Sequence, residues 1–142
     1  MTRDEAIATI RAARVGRLAT VRPDGTPHVV PFVFALVPDG DELLAFWAVD
    51  DKPKKHLAIQ RLDNIEANPS VEFVVDGYGD DWSDLWWVRA TGRARVVSSS
   101  EERTRAIGAL TDKYPQYRAA PPTGAVIAIE VVQVTGWSAA EP

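Results

Sequence analysis

The stretch from residue 16 to residue 34 reads Gly16-Arg-Leu-Ala-Thr-Val-Arg-Pro-Asp-Gly-Thr-Pro-His-Val-Val-Pro-Phe-Val-Phe34. It predicts a β-hairpin that turns at Arg22-Pro-Asp-Gly25. In such a turn Pro presets φ, Asp bonds its own backbone and Gly takes a positive φ. The outgoing strand, residues 29–34, is a continuous apolar run, without the alternation expected of a strand that has one face in water. It therefore predicts a strand with much of both faces covered.

Further strands follow this hairpin. A second turn signal, Pro38-Asp-Gly-Asp41, predicts another hairpin and, with the first, an antiparallel meander. An interior glycine, Gly92, predicts a bulge or close backbone approach in a long strand. The later strands are predicted over residues 42–49, 71–75, 85–97 and 125–135.

Three helices interrupt the strands. Thr2 and Glu5 form a capping-box pattern for the first helix. The second runs from about residue 53 to about residue 67, and the third follows the N-cap cluster Ser98-Ser-Ser100. Residues 115–123, which include three prolines, predict a loop. The whole chain, residues 1–142, is thus predicted to be one mainly β (α+β) domain, a six-stranded antiparallel sheet curled into a small barrel with short flanking helices.

Composition excludes several classes of protein. A net charge of −4 argues against a general nucleic-acid binder. The absence of cysteine excludes disulfides and thiolate metal sites. No apolar run approaches the roughly 20 residues of a membrane span, and no opening signal peptide is visible. We expect a cytoplasmic protein without membrane partners.

Few side chains suggest intrinsic reactivity. His28 and His56 are the only histidines, and neither a G-x-S-x-G nor an H-E-x-x-H motif is present. The pair Asp80-Asp81 is better explained as a solvated turn, and no spacing supports a metal site. No catalytic residue is assigned. A bound cofactor is the natural source of chemistry.

A cation cluster and a tryptophan cluster are the candidate binding features. Lysines 52, 54 and 55 and Arg61 bracket the predicted start of the second helix, where the helix dipole favours an anion. They predict either a phosphate site or a solvated face. Trp86 and Trp87 point to opposite faces of one strand. One of them therefore needs a cover other than the core, either a flat ligand or a second subunit.

These segments together resemble a known family. Gly16-x-Leu-Ala-Thr-Val-Arg-Pro-Asp-Gly-x-Pro-His-x-x-Pro resembles the opening of the pyridoxamine 5′-phosphate oxidase-like proteins, which have the FMN-binding split β-barrel fold. The cationic turn, Asn64-Ile65 with Asn68-Pro69, and residues 76–94 are similar to the actinobacterial subgroup that uses the deazaflavin coenzyme F420. The resemblance runs from about Ala6 to Trp137.

The resemblance implies a homodimer with two cofactor sites at its interface. It implies that the coenzyme ring approaches the first two strands and that the phosphate lies at the cationic turn. Trp82 and Trp87 would lie near the interfacial pocket. The implied cofactor-binding residues are Leu18, Ala19, Thr20, Pro31, Phe32, Lys52, Lys55, Arg61, Asn64, Trp82 and Trp87.

The implied activity is hydride transfer between F420 and a small organic acceptor. The proton donor would be solvent, Tyr78 or His28. An FMN-dependent enzyme of the same fold is the second choice, since Ala48-Val49 lacks the hydroxyl that FMN-binding members often carry there. A non-catalytic carrier of F420, FMN or haem, and a purely structural dimer, remain alternatives.

Overall fold

The structure is a computed structural model that describes residues 1–49 and 55–140, without the side chains of residues 55–59. Its strands are β1 (Gly16–Val21), β2 (Pro27–Phe32), β3 (Ala35–Asp39), β4 (Glu42–Ala48), β5 (Ser70–Gly77), β6 (Trp86–Val96) and β7 (Val126–Ser138). Its helices are α1 (Arg3–Ala12), α2 (Lys55–Ala67), α3 (Ser100–Lys113) and α4 (Pro115–Ala119), and a single 3₁₀ turn covers Trp82–Asp84. The predicted mainly β fold with short flanking helices is confirmed.

The sheet of this described part has seven strands rather than the predicted six, in the order β2-β1-β5-β6-β7-β4-β3. The additional strand is β3. The prediction had treated it as a continuation of the outgoing strand of the first hairpin. The chain leaves the ladder at Val33 and Phe34. There the Phe34 N–H donates to the Tyr114 hydroxyl at 3.2 Å, and the Phe34 carbonyl accepts from the same hydroxyl at 3.0 Å. The backbone at Phe34 is thus satisfied by a side chain 80 residues away, a partner that local sequence does not reveal.

The two predicted hairpins are confirmed, whereas the predicted meander is wrong. β1 pairs with β2 and β3 pairs with β4, with Gly25 at φ 88° and Gly40 at φ 62° in the turns. β2 and β3, however, lie at opposite edges of the sheet. Proline sits on both edges, at Pro27 and Pro31 of β2 and at Pro38 of β3, where a missing N–H costs no ladder bond.

The helix ends follow the local signals closely. The capping box of Thr2 and Glu5 is present on α1, and the Ser99 side chain accepts from the Glu102 N–H at the start of α3. The predicted loop over residues 115–123 is wrong in its first half, because Pro115 begins α4. α2 is described from Lys55 onward, so its predicted start at Pro53 lies outside the described residues.

The predicted irregularity at Gly92 is confirmed. The register between β6 and β7 shifts between Thr91 and Gly92. A Cβ at Gly92 would lie 2.5 Å from the Glu130 carbonyl oxygen, closer than a real side chain can approach. Glycine at this position therefore allows the two longest strands to stay paired through the bulge.

The inner face of the curled sheet holds the main core. Phe32, Phe34 and Phe73 pack ring against ring there, with centroids 5.0 to 5.4 Å apart, and Trp47 packs on Phe32. On the outer face, α3 covers β4 and the start of β7 through a second cluster that includes Phe46 and Ala106. Among the described residues, none of the helices combines the length and the apolar character needed to cross a lipid bilayer.

The rest of the outer face is open, over β2, β1, β5 and β6. Val29 of β2 is 62% exposed, so the prediction that both faces of this arm are covered is wrong within one protomer. An edge strand has neighbours on one side only, and no helix of the described chain reaches its outer face.

Candidate cofactor site and the cavities around it

A cavity of about 280 Å³ opens where β2 ends beside the end of β4. We call it the Arg61 cavity, after the cation that α2 contributes to it. Pro31 and Phe32, both predicted to approach a coenzyme ring, lie in its wall with Arg61, which was predicted to bind phosphate. The full lining is Val15, Pro31, Phe32, Val33, Trp47, Ala48, Arg61 and Tyr117.

Arg61 is held against an aromatic ring rather than against a carboxylate. Its Cζ lies 4.9 Å from the centroid of the Trp47 ring. Its Nε is buried without a hydrogen-bond partner, as is Nε1 of Trp47. Within residues 1–49 and 60–140, no acidic side chain forms an ion pair with it.

Burial lowers the pKa of Arg61 from its ordinary value, because the charged guanidinium loses water and no carboxylate of the described residues replaces it. Buried polar groups are nearly always hydrogen-bonded, and buried charges are nearly always paired. A cation in the lining of a cavity, without an acidic partner among the described residues, fits an anionic, oxygen-rich group such as a phosphate.

Leu18, Ala19 and Thr20 of β1, which were predicted to approach the coenzyme ring, lie on two different faces of the sheet. The side chains of Leu18 and Thr20 point into the core and are almost completely buried, whereas Ala19 faces outward. Thr20 is bonded to α2, because Asn64 Nδ2 donates to Thr20 Oγ1 at 2.9 Å. Asn64 Oδ1 in turn accepts from Gln60 Nε2 at 2.7 Å. Asn64 and Thr20 satisfy each other here, outside the lining of the Arg61 cavity, so their predicted roles toward a cofactor stay predictions.

A separate depression of about 340 Å³ lies on the open outer face, and Ala19, Val29 and Trp87 all contribute to its lining. Trp87 lies directly opposite Trp137 in the β6–β7 ladder. Trp86 instead packs against the inner core, which confirms that the two adjacent tryptophans point to opposite faces.

The remaining predicted residues lie elsewhere. Trp82 sits in the 3₁₀ turn and is 78% exposed, away from both cavities. Lys52 lies outside the described residues, and Lys55 begins α2 without a described side chain. The structure thus brings Pro31, Phe32 and Arg61 together, groups Ala19 with Trp87, and leaves the others apart.

The two suggested proton donors differ in their surroundings. His28 has a buried Nδ1 without a hydrogen-bond partner. Burial first, and then the nearby charges of Arg22 and Arg61, lower the pKa of His28, which favours its neutral imidazole. Tyr78 is 62% exposed in the loop after β5.

Sequence reasoning missed Trp47, Val15 and Tyr117 in the lining of the Arg61 cavity. Trp47 looked like one more apolar residue of a core strand, and Tyr117 fell in a predicted loop. No local pattern marks either residue, because they meet Arg61 only through the tertiary fold.

Comparison with known proteins agrees with the fold. Over 96% of the chain and 92% of its counterpart, the structure matches an FAD-binding protein from Mesorhizobium loti, with 26% identity and a TM-score of 0.67. A conserved hypothetical protein from Mycobacterium tuberculosis matches with 24% identity and a TM-score of 0.76, over 98% and 86% of the two chains. A putative pyridoxamine 5′-phosphate oxidase from Corynebacterium glutamicum matches with 18% identity and a TM-score of 0.65, over 96% and 88%.

No curated protein matches the sequence. The family model described as pyridoxamine 5′-phosphate oxidase, however, matches residues 2–138, which is nearly the whole chain. This match agrees with the resemblance carried by the opening hairpin and the later segments. The chain belongs to the pyridoxamine 5′-phosphate oxidase family of oxidoreductases, whose split-barrel fold it shares.

Proposed function

We propose that this protein is an oxidoreductase that binds the deazaflavin coenzyme F420 and transfers a hydride between it and a small organic acceptor. The observation that carries the proposal is the Arg61 guanidinium, half-buried, with an orphaned Nε and no acidic partner among the described residues. A coenzyme phosphate would supply the missing negative charge. Pro31 and Phe32 would offer the ring an apolar wall beside it.

When bound, such a coenzyme supplies two-electron hydride chemistry. The residues of this chain have other tasks: Arg61 would hold the phosphate, the Trp47 ring would keep the guanidinium in place, and Phe32 would exclude water. Because its surroundings lower the pKa of His28, its imidazole would serve as a hydrogen-bonding group rather than as a fixed charge.

The choice of F420 over a flavin rests on the lining of the cavity. Ala48 stands beside Arg61 and has no hydroxyl to donate to an FMN phosphate. The second candidate is a flavin enzyme. The Mesorhizobium loti neighbour is described as an FAD-binding protein, and it is 26% identical.

We further propose that the protein is a homodimer joined by the open outer face. Trp87 and Trp137 lie side by side there, and Val29 is 62% exposed beside the same depression. Exposed apolar and aromatic area of this kind marks interaction surfaces, and a second copy would bury it. Sedimentation of the wild type and a Val29→Lys variant tests this, with a dimer expected for the former and a monomer for the latter.

The coenzyme proposal is tested by fluorescence titration of the purified chain with F420, FMN and FAD. We expect micromolar or tighter binding of F420 and at least tenfold weaker binding of both flavins. Tight binding of FMN or FAD with no binding of F420 at tens of micromolar would overturn the choice of coenzyme. Absence of binding by all three would overturn the proposed function.

A carrier without turnover remains the competing function. Oxidation of reduced F420 in the presence of a panel of enones and quinones distinguishes the two. Turnover supports the oxidoreductase, whereas tight binding without any turnover across the panel supports a carrier.

A further inference from the structure

A second and larger cavity, of about 480 Å³, lies beside the Arg61 cavity. It lies between the residues before β1, the break between β2 and β3, and the start of α4. We call it the tyrosine cavity, because Tyr114 and Tyr117 form part of its wall. The lining is Arg14, Val15, Val33, Tyr114, Gln116, Tyr117 and Ala120. Its volume is in the range of small-molecule sites.

The walls are aromatic and apolar, and the charge is of one sign. The rings of Tyr114 and Tyr117 meet edge to face, with centroids 6.0 Å apart. Arg14 lies over the Tyr114 ring at 4.9 Å and is the only charged residue that the described part of the chain contributes to the lining. Among the described residues no acidic side chain pairs with Arg14, whose Nη2 donates to the Lys113 carbonyl at 2.7 Å. Several N–H groups of the guanidinium therefore remain available to a ligand.

The wall that carries these groups is held rigidly. The Tyr114 hydroxyl lies 2.9 Å from the Arg14 carbonyl and 3.0 Å from the Phe34 carbonyl. Lys113 Nζ donates to the same Phe34 carbonyl at 2.9 Å. These contacts join the end of α3 to the segment before β1 and to the break between β2 and β3. A cavity with fixed walls loses little entropy when a ligand enters.

The tyrosine cavity adjoins the Arg61 cavity. Val15, Val33 and Tyr117 line both. A ligand in the tyrosine cavity would therefore lie next to whatever occupies the Arg61 cavity. Each cavity has its own arginine, Arg14 in one and Arg61 in the other.

We propose that the tyrosine cavity binds a small planar organic anion, an aromatic or conjugated carboxylate, with its carboxylate on Arg14 and its ring against Tyr117, which the buried Tyr114 supports from behind. The flat apolar walls suit a conjugated body better than a flexible chain. The guanidinium fork matches the two oxygens of a carboxylate. Binding there requires none of the groups that would hold a coenzyme phosphate, so it can be measured on the coenzyme-free protein.

The test is calorimetric titration of the full chain, without coenzyme, with three probes. Cinnamate has both the ring and the charge, cinnamamide has the ring alone, and glutarate is a flexible dianion without a ring. We expect cinnamate to bind roughly fivefold or more tightly than cinnamamide, a charge effect moderated by the exposure of Arg14, and more tightly than glutarate. Equal binding of cinnamate and cinnamamide, or tighter binding of glutarate, would overturn the proposal.

Two variants test the cavity wall separately. Arg14→Gln is expected to remove the preference for cinnamate over cinnamamide. Gln116→Glu places a negative charge in the same lining and should weaken cinnamate at least threefold while leaving cinnamamide unchanged. Because Gln116 is exposed in the first turn of α4, where an acid is favourable, this variant tests the site even if Arg14→Gln fails to fold.

The matched control is Arg11→Gln, an exposed arginine in the last turn of α1 that lies outside the lining. It should leave the affinity for all three probes unchanged. A loss of cinnamate binding in Arg11→Gln equal to that in Arg14→Gln would mean that only net charge is sensed, and would overturn the assigned site.

Discussion

Arg61 and Arg95 are two arginines near the sheet with opposite surroundings. Arg95 of β6 donates to both carboxylate oxygens of Glu102, at 2.6 and 2.9 Å, and to Glu130 at 3.2 Å. Arg61 of α2 contacts the Trp47 ring, and its buried Nε has no partner among the described residues. The pKa of Arg95 is raised, chiefly by its hydrogen bonds to Glu102, whereas burial lowers the pKa of Arg61.

The difference is that the fold uses one cation, Arg95, to join its elements and does not use the other, Arg61, in this way within the described residues. Carboxylates that belong to the fold satisfy the guanidinium of Arg95 and join α3 to β6 and β7. No carboxylate of the described residues pairs with Arg61, and its buried Nε has no partner there; such a group lowers the stability of the empty protein. We infer that Arg61 is present for a ligand rather than for folding.

The largest effect is expected from Arg61→Met, which removes the charge and keeps the apolar stem. The affinity for the coenzyme should fall ten- to a hundredfold, corresponding to about 1.5–3 kcal/mol for a hydrogen-bonded ionic contact. The free energy of unfolding should stay the same or rise, because an unpaired buried charge is lost. Coenzyme titration and urea denaturation measure the two quantities. Loss of stability with unchanged coenzyme affinity would show that Arg61 is structural after all.

The second-largest effect is expected at Asn64, three residues from Arg61 on the same helix. Its side-chain amide, unlike Arg61, is hydrogen-bonded on both sides, to Thr20 and to Gln60. Asn64→Leu leaves the buried Thr20 hydroxyl and the Gln60 amide without their partner. We expect the free energy of unfolding to fall by about 1–3 kcal/mol, measured by urea denaturation. Adding Thr20→Val removes one orphaned group, so the double variant should be more stable than the sum of the two single changes predicts. Strict additivity would mean that the two side chains do not interact.

Arg95→Gln should have a smaller effect, and this effect should be on the free energy of unfolding alone. The Arg95 side chain is 40% exposed and Glu102 is 18% exposed, so solvent weakens the pair and we expect a loss of about 1 kcal/mol. Coenzyme affinity should not change, which contrasts with Arg61→Met. Arg105→Gln is the comparison for weaker contacts, since Arg105 lies 3.4 Å from the exposed Asp39 and 3.9 Å from the same Glu102, so its loss should cost less than the loss of Arg95. A coenzyme defect in Arg95→Gln would erase the distinction between the two arginines.

The smallest effect is a dependence of stability on pH through Lys113, another half-buried cation without an acidic partner among the described residues. Burial, aided by the charge of Arg14, lowers the pKa of Lys113 from 10.5 to about 8. Between these two pH values the unfolded chain binds more protons than the folded chain, so stability should rise with pH. Solvent around the half-exposed amine keeps the slope below the roughly 1.4 kcal/mol per pH unit of one full proton.

Urea denaturation of the wild type and of Lys113→Met at pH 7.5, 8.5 and 9.5 measures the part of the pH dependence of stability that comes from Lys113. The wild type should gain stability relative to the variant as pH rises. A constant difference across this range would show that the amine keeps its ordinary pKa.

Much of the fold could be predicted because its signals are local. The turns at Asp24-Gly25 and Asp39-Gly40, the caps at Thr2 and Ser99, and the irregularity at Gly92 each depend on a few neighbouring residues. The break at Phe34 could not be predicted, because the group that replaces its ladder partner is the distant Tyr114 hydroxyl. The break also separates β2 from β3, so the two hairpins, adjacent in sequence, were wrongly expected to be adjacent in the sheet.

The candidate site shows the same limit. Family resemblance pointed to Pro31, Phe32 and Arg61, and the structure brings them to one cavity. It could not indicate that Leu18 and Thr20 face the core, because one residue of register decides the face of every side chain in a strand. Nor could it indicate that Arg61 has no carboxylate partner among the described residues, since the partners of a side chain are set by the tertiary fold.

The prolines on the two sheet edges bear on how the protein avoids aggregation. Open edges are templates on which the strands of other molecules can add, through their unpaired N–H and C=O groups. Pro27 and Pro31 on one edge, and Pro38 on the other, interrupt these rows of donors. Sheet-to-sheet extension between molecules is thereby disfavoured at both ends. The homodimer proposed above, joined through the open outer face, would leave both of these edges unpaired and would close on itself if its two copies were related by a two-fold axis.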